Sequence, residues 1–303
     1  MFSFSGIVKP NNDPKVVNES VAAALVDGRD GLGGVVAEFS MELAIQKAKT
    51  AGVGWVTAKN SNHYGIAGHY SMMAEREGLC GFSFTNGSPW VTATRSAGAR
   101  VMSTNPISFT APGQEGDSMV LDMATATVAV GKLEVAAVNN EAIPSGWAVD
   151  GRGRVTNNPK TAMREGAGLP LGGQEETGGY KGYGLALMVE VLCGVMSGGT
   201  WGPNIRQWGK CDKPGGLSHC FLALDPGVCG DGFKERMQEL MRTFRGLNPA
   251  EDDKPVLVPG DPERTRERKV LESGGVRYTG SQYSRFKHFS EKFGVSPPQA
   301  TVL

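Results

Sequence analysis

The 303-residue sequence holds only five cysteines, Cys80, Cys193, Cys211, Cys220 and Cys229, and no Cys-x-x-Cys pair. An odd count without paired spacing argues against a disulfide framework and suits a reducing compartment. The even spacing of Cys211, Cys220 and Cys229 is not followed by a histidine cluster with zinc spacing, so no metal is expected. A surplus of one charge is missing too, because 31 basic residues cancel 31 acidic ones. No overall field therefore draws in nucleic acid or an anionic membrane. The longest apolar run, Leu185 to Met196, spans 12 residues interrupted by Glu190, well short of the ~20 needed to cross a bilayer. The opening MFSFSGIVKPNNDPK has no basic start followed by an apolar stretch, so no signal peptide is read there and the cytoplasm is the expected location.

Glycine, by contrast, is abundant: 43 residues, about twice the usual share. No Gly-X-Y period and no low-complexity run accompany it, so the excess points to left-handed backbone positions and close approaches. The length allows roughly two domains. Pro10 and Pro14 keep the polar, turn-rich opening extended. A strand at Ala23 to Val26 and a Gly-rich turn lead into a helix from Val35 to Thr50, where Val35, Phe39, Leu43 and Ala44 recur at helical spacing. A strand at Gly52 to Ala58, a helix at His69 to Glu77 and a strand at Cys80 to Thr85 complete an alternation typical of α/β folds. Short strands at Pro106 to Thr110 and Met119 to Asp122 follow, then a helix over Ala124 to Ala137. Asn139 to Lys160 is rich in turn formers, and GGYKGYG leads into a helix at Leu185 to Met196. A strand at Ser218 to Leu224, a helix at Gly232 to Phe244 and a short strand at Val256 to Val258 precede PGDPERTRER.

A Gly-rich α/β chain invites a search for a phosphate-binding loop. The segment Gly31-Leu-Gly33-Gly-Val-Val fails at the third glycine of the dinucleotide fingerprint and has no acidic residue at the end of a following strand, so a tight helix-starting turn is the better reading. No GxxxxGK[ST] sequence occurs. Two other segments carry more chemistry. In Asn60-Ser-Asn-His63-Tyr64-Gly65-Ile-Ala67-Gly68, a polar loop runs from a buried strand to a helix start, where backbone N–H groups bind anions. His63 there either holds a phosphate or is satisfied within its loop. In Gly178-Gly-Tyr180-Lys181-Gly182-Tyr183-Gly184, one lysine among glycines and aromatics suggests an anion partner, against the plainer reading of a solvated lysine in a flexible loop.

These segments, with TNPISF, VLDMATATVAVGKLEVAA, IPSGWAVDGRGRVTNNP, LPLGGQEETGGYKGYGLALMVEVLCGV and VPGDPERTRER, together resemble the type-2 malate/L-lactate dehydrogenase family. Its relatives include sulfolactate dehydrogenases, diketogulonate reductases and cyclic imine reductases. The likeness runs in order from about Ala23 to about Arg268. It implies an α/β, mixed-sheet, non-Rossmann fold of more than one domain and NAD or NADP bound between the domains of a homodimer. By that resemblance residues 1–22 are an extended remnant of an N-terminal helical region, 23–245 the cofactor- and substrate-binding region, and 246–303 a segment returning to the cofactor. His63, Tyr64, Gly65, Ile66 and Ala67 would contact the cofactor, with Asp122, Met123 and Ala124, and with Tyr180 and Lys181. Pro259, Gly260, Asp261, Pro262, Glu263 and Arg264 would close over it, while Thr104, Val130 and Gly131 would border the substrate.

Reducing a 2-oxo acid requires a hydride donor, a proton donor and a cation for the carboxylate. The family takes its proton donor from a Ser-His-Gly histidine, with a nearby arginine, on an N-terminal segment. The four histidines here, His63, His69, His219 and His288, lie in no such context, and the sequence begins where that segment would have ended. Lys132 stands where some relatives carry a histidine-orienting aspartate, and it would balance a substrate carboxylate or shift a histidine pKa. Its plainer reading is capping or pairing near Glu134. Arg95 and Arg100 are further candidates for a carboxylate. The expectation is an NAD(P)-dependent 2-hydroxy acid dehydrogenase acting on malate/oxaloacetate. The alternatives are a nucleotide-binding paralogue with impaired turnover and a truncated gene product.

Overall fold

A computed structural model describes residues 6–299. The chain divides into two compact units, residues 1–260 and 261–303.

The first unit opens with strands β1 (Lys15–Glu19) and β2 (Ala23–Asp27), then helix α1 (Gly33–Ala51), strand β3 (Val53–Ser61), helix α2 (Ala67–Arg76) and strand β4 (Cys80–Thr85). The hairpin β5 (Ile107–Pro112) and β6 (Ser118–Met123) follows. Helix α3 (Val130–Asn139), the two-residue strands β7 (Ala148–Val149) and β8 (Ala167–Gly168), and helix α4 (Pro159–Glu165) make a small satellite. Helix α5 (Gly179–Glu190) ends in a π-helical turn at Val191–Val195, before strand β9 (Leu217–Leu224) and helix α6 (Phe233–Arg245).

Seven strands form one mixed sheet in the order β1-β2-β3-β9-β4-β5-β6. Only β2 and β3 pair in parallel, joined by α1 as the crossover. Strand β9 returns from far along the chain to lie antiparallel between β3 and β4. Its alternating side chains serve both faces. Phe221, fully buried, packs with Met41, Ala44 and Tyr70 beneath α1 and α2. Cys220, one residue earlier, packs with Phe84, Val189 and Cys193 beneath α5 and its π turn. A third cluster seats Met237 and Met241 of α6 on Cys80 and Ala111. The satellite has its own core of Trp90, Leu133, Ile143 and Ala162.

The second unit contains α7 (Asp261–Glu272) and α8 (Gly280–Phe293), the latter started by a Thr279–Gln282 capping box.

The α/β, mixed-sheet expectation holds, and most elements fall within a few residues of their predicted bounds. Four readings need correction. GGYKGYG is not a loop before the helix but its first turns, since α5 starts at Gly179. The helix expected from Ala124 starts at Val130, because Thr125 and Thr127 spend their hydrogen bonds on Thr104 and Leu169. Val256 to Val258 forms no strand, although Pro259 O just after it accepts from Val120 N at 2.9 Å. Strand β1 lies inside the opening stretch expected to be merely extended.

Removing the ring of Phe221 empties the core beneath both helices. Phe221→Ala is expected to lower unfolding free energy by about 3–5 kcal/mol, read from urea denaturation of the two chains side by side.

Candidate functional site

Strand β3 ends at Ser61 and α2 begins at Ala67, so the intervening loop sits at one edge of the sheet. Its root is heavily tied down. The Asn62 amide donates to Asp30 O at 3.1 Å and Gly31 O at 2.8 Å. Gly33, which starts α1, lies so close that a Cβ would stand 2.2 Å from Asn62 O and 2.3 Å from His63 O. That glycine is needed for backbone contact between α1 and the loop, not for a phosphate.

Tyr64 turns into the core. Its hydroxyl meets Ser83 Oγ at 3.1 Å, and its ring is stacked between Tyr70 and His219, each with centroids 4.7 Å away. The Tyr70 hydroxyl donates to the Tyr64 carbonyl. Burial pushes the Tyr64 phenol well above its usual pKa, so it stays protonated. Tyr64 thus anchors the loop by its side chain and leaves its neighbours to face outward. His63, Gly65 and Ile66 are exposed. His63 Nδ1 accepts from Gly65 N at 3.1 Å, so in the neutral ring Nε2 carries the proton and is the outward donor. The exposed Trp208 lies edge-on to His63 at 6.2 Å.

His219 is the part of this site that sequence reasoning passed over as the start of a strand. It is fully buried, with Nδ1 2.7 Å from Thr85 Oγ1 and Nε2 2.7 Å from Ser61 Oγ. Burial, helped by the nearby His63, pushes its pKa down to about 3. Both ring nitrogens meet hydroxyls rather than carboxylates. Glu190 is the second such residue, a single acid in the apolar run Leu185 to Met196. It is buried, and its carboxylate accepts from Asn86 Nδ2 at 3.0 Å, Asn105 Nδ2 at 2.8 Å and Gly202 N at 2.8 Å. Its position within an apolar run was the available signal.

Asp122, near the end of β6, accepts from Gly68 N at 2.8 Å. A carboxylate at the start of α2 is favoured by the unpaired N–H groups there. This bond draws the end of β6, with half-buried Met123 and Ala124, to the His63 loop. Thr125, next along, donates through its backbone to Thr104 O at 2.9 Å, so Thr104 borders the same stretch. Val130 and Gly131 form the first turn of α3.

Lys132 on that helix is exposed, with Nζ 5.8 Å from the Trp147 ring centroid, and it makes no ion pair with Glu134. The pairing alternative for Lys132 therefore gives way to a cation–π contact. Both arginine candidates are already engaged. Arg95 makes a bidentate pair with Glu175 at 2.9 and 2.5 Å. Arg100 donates to the Gly166 and Met163 carbonyls at 2.7 and 2.6 Å and lies over Trp90.

Lys181 is exposed in the first turns of α5, near the Tyr180 ring and without an ion pair. Two of the surrounding glycines serve packing: a Cβ on Gly179 would stand 2.0 Å from Gly173 O, and one on Gly182 2.2 Å from Leu171 O. Pro259 follows the β6 edge and Gly260 is left-handed at φ 101°. Asp261, Pro262, Glu263 and Arg264 open α7 in the second unit, where Arg264 Nη2 pairs with Asp261 Oδ1 at 2.7 Å. No metal-binding group of histidines, cysteines and acids occurs among the described residues. All five cysteines are free, and burial raises the pKa of Cys80, Cys193 and Cys220, so these thiols are inert.

A nicotinamide cofactor fits what these segments present. No atom lies within 4 Å of where a Cβ on Gly65 or on Gly131 would be, which leaves open backbone surface. The free ammonium of Lys181 suits a pyrophosphate, and the half-exposed Tyr180 ring suits stacking.

Residues 3–287 match the model of the malate/L-lactate dehydrogenase family. The chain is 41% identical over 250 residues to the malate dehydrogenase of Pyrococcus abyssi, covering 82% of this chain and 68% of that protein. It is 36% identical over 293 residues to the L-sulfolactate dehydrogenase of Methanocaldococcus jannaschii, covering 96% and 81%. The solved malate dehydrogenase of Pyrococcus horikoshii superposes with a TM-score of 0.87 at 35% identity, covering 97% of this chain and 81% of that one.

Because the native His219 ring resists protonation, the unfolded chain binds the extra proton between about pH 6.5 and about 3. Stability should therefore fall as pH drops through that window, with a contribution of up to ~1.4 kcal/mol per pH unit. Urea unfolding at pH 7 and pH 5 should show this slope flattened in His219→Gln, whatever that variant's stability at pH 7.

Proposed function

Because the chain belongs to the malate/L-lactate dehydrogenase family, we propose that it passes hydride between NAD, with NADP as the alternative, and a small 2-hydroxy acid, malate/oxaloacetate first among them. The observation that carries this reading is the Asp122–Gly68 bond. It brings the VLDMA strand end and the His63 loop, two segments the resemblance assigns to the cofactor, to one edge of the sheet. Malate is favoured by the name of the 41%-identical relative. The sulfolactate dehydrogenase at 36% supports the broader class of anionic 2-hydroxy acids.

When bound, the cofactor supplies the hydride. In this reading the outward Nε2–H of His63 and the backbone of Gly65 to Ala67 hold its polar face, and Asp122, Met123 and Ala124 line the other side. Lys181 offsets the pyrophosphate charge beside Tyr180. Pro259 and Gly260 contribute to the same site. Thr104, Val130 and Gly131 border the 2-oxo acid, and Lys132 offsets its carboxylate charge. A homodimer belongs to the same reading. Leu187, Val191 and Val195 recur every four residues along α5 and its π turn, with Met188 beside them and Tyr180 two turns earlier, and all are exposed. A second copy meeting this face about a twofold axis would cover it.

A chain that binds nucleotide but turns it over slowly is the second reading. It is favoured by the engagement of Arg95 and Arg100, which leaves neither guanidinium open to a substrate carboxylate.

Titration with NADH and NADPH, followed by oxaloacetate and pyruvate while cofactor oxidation is recorded, separates the two. Oxidation supports the dehydrogenase reading; tight NADH binding without oxidation supports the second; no binding of either nucleotide removes both. Lys181→Ala is expected to weaken NADH about tenfold, ~1.4 kcal/mol, and unchanged affinity would return Lys181 to a solvated surface residue.

A further inference from the structure

A cavity of about 580 Å³ opens beside the His63 loop, and none of the residues assigned above to cofactor or substrate lines it. Strands β2 and β3 run parallel, so their carboxyl ends reach the same edge of the sheet, the edge where open α/β sheets take ligands. It is lined by the turn after β2, by Asn60 near the end of β3 and by residues between 200 and 216.

Three non-glycine residues at these strand ends, Arg29, Asp30 and Asn60, are left-handed, with φ of 52°, 59° and 53°. Such backbone is disfavoured for residues with a side chain and persists where its surroundings hold it. Here the holding bonds are visible. Asp27 Oδ1 accepts from Arg29 N at 2.9 Å and from Asn60 Nδ2 at 3.0 Å, and the Arg29 carbonyl accepts from Asn12 Nδ2 at 2.8 Å.

The charges in this lining are unbalanced. Four cations, Lys9, Arg29, Arg206 and Lys213, face two carboxylates, Asp27 and Asp30. Both carboxylates are committed, Asp27 to the bonds just named and Asp30 to Lys9 at 3.4 Å. The Arg29 guanidinium makes no hydrogen bond or ion pair among the described residues. Lys213 Nζ meets only the neutral Asn204 carbonyl, at 2.6 Å. Arg206 is 7% exposed, and its Nη1 donates to the Lys213 carbonyl at 3.2 Å, which ties these two basic residues together.

We propose that this cavity is a second ligand site, one that takes a small multivalent oxyanion through Arg29 and Lys213, which both line it. The ligand's acidic groups are phosphate or carboxylate, since the cations recognise either. Among the described residues no aromatic side chain lines the cavity, so they offer a nucleobase no stacking surface. The site is therefore distinct in chemistry as well as in position from the one that would hold a dinucleotide.

Calorimetric titration of the full chain in low-chloride buffer tests this, with inorganic pyrophosphate as the phosphate probe and citrate as the carboxylate probe. One site per chain is expected for at least one probe, and which of them binds identifies the acidic group. The double variant Arg29→Gln/Lys213→Gln should weaken that binding at least tenfold while leaving NADH affinity unchanged. Both side chains are exposed, and far-UV circular dichroism checks that the variant is folded. Lys213→Glu alone should weaken the same probe through repulsion. The proposal is overturned if neither probe binds, if the double variant binds as tightly as the parent chain, or if NADH competes with the probe for one site.

Discussion

The imidazole of His219 joins three strands and one loop at a single point. It belongs to β9, bonds the last residue of β4 through Thr85 and the last of β3 through Ser61, and carries the Tyr64 ring on its face. Burial keeps the ring neutral, so it accepts at one nitrogen and donates at the other. The outward set of His63, Gly65 and Ile66 follows from it, because Tyr64 cannot leave the stack without exposing a large aromatic surface. The shape of this loop thus depends on a histidine with no access to solvent.

The elements read most directly from the sequence were those whose burial follows a simple period. Val36, Ala37, Met41, Ala44 and Ala48 bury one face of α1, and β4 is a continuous apolar-to-small run between a helix stop and a polar turn. The misreadings share a cause. Glycine's helix penalty of roughly 1 kcal/mol argued for a loop at GGYKGYG, yet backbone contact with residues 171 to 174 requires glycine there and outweighs it. In Ala124 to Ala137 a tolerable helix propensity lost to the tertiary hydrogen bonds of Thr125 and Thr127. Strand β1 went unread because its side chains are mostly exposed and show no alternation. The order of motifs made the family legible, and the match over residues 3–287 agrees. The roles of His219 and Glu190 depend on partners far away in the sequence, which no local pattern encodes.

Buried carbonyl, hydroxyl and carboxylate groups do much of the positioning in this molecule. Glu190 gathers Asn86, Asn105 and the backbone at Gly202 around one carboxylate, much as His219 gathers the strand ends. Ser71, Ser108 and Thr110 form a further hydroxyl cluster between α2 and β5, with oxygens 2.7 Å from the serine of the helix. Such groups fix one arrangement among many that hydrophobic burial alone would tolerate, since each becomes costly when its partner shifts. That suits an edge of the sheet where loops must hold their shape with little core of their own.

The late return of β9 has a consequence for how the molecule is made. Ser61 and His219, which touch in the finished protein, are 158 residues apart. During synthesis β3 and β4 leave the ribosome long before the strand that separates them. Until β9 emerges, these two strands expose backbone edges that can pair with each other or with another nascent chain. The last strand to arrive is also the middle one of the seven, so correct assembly of this sheet waits for it and depends on the earlier strands being kept apart until then.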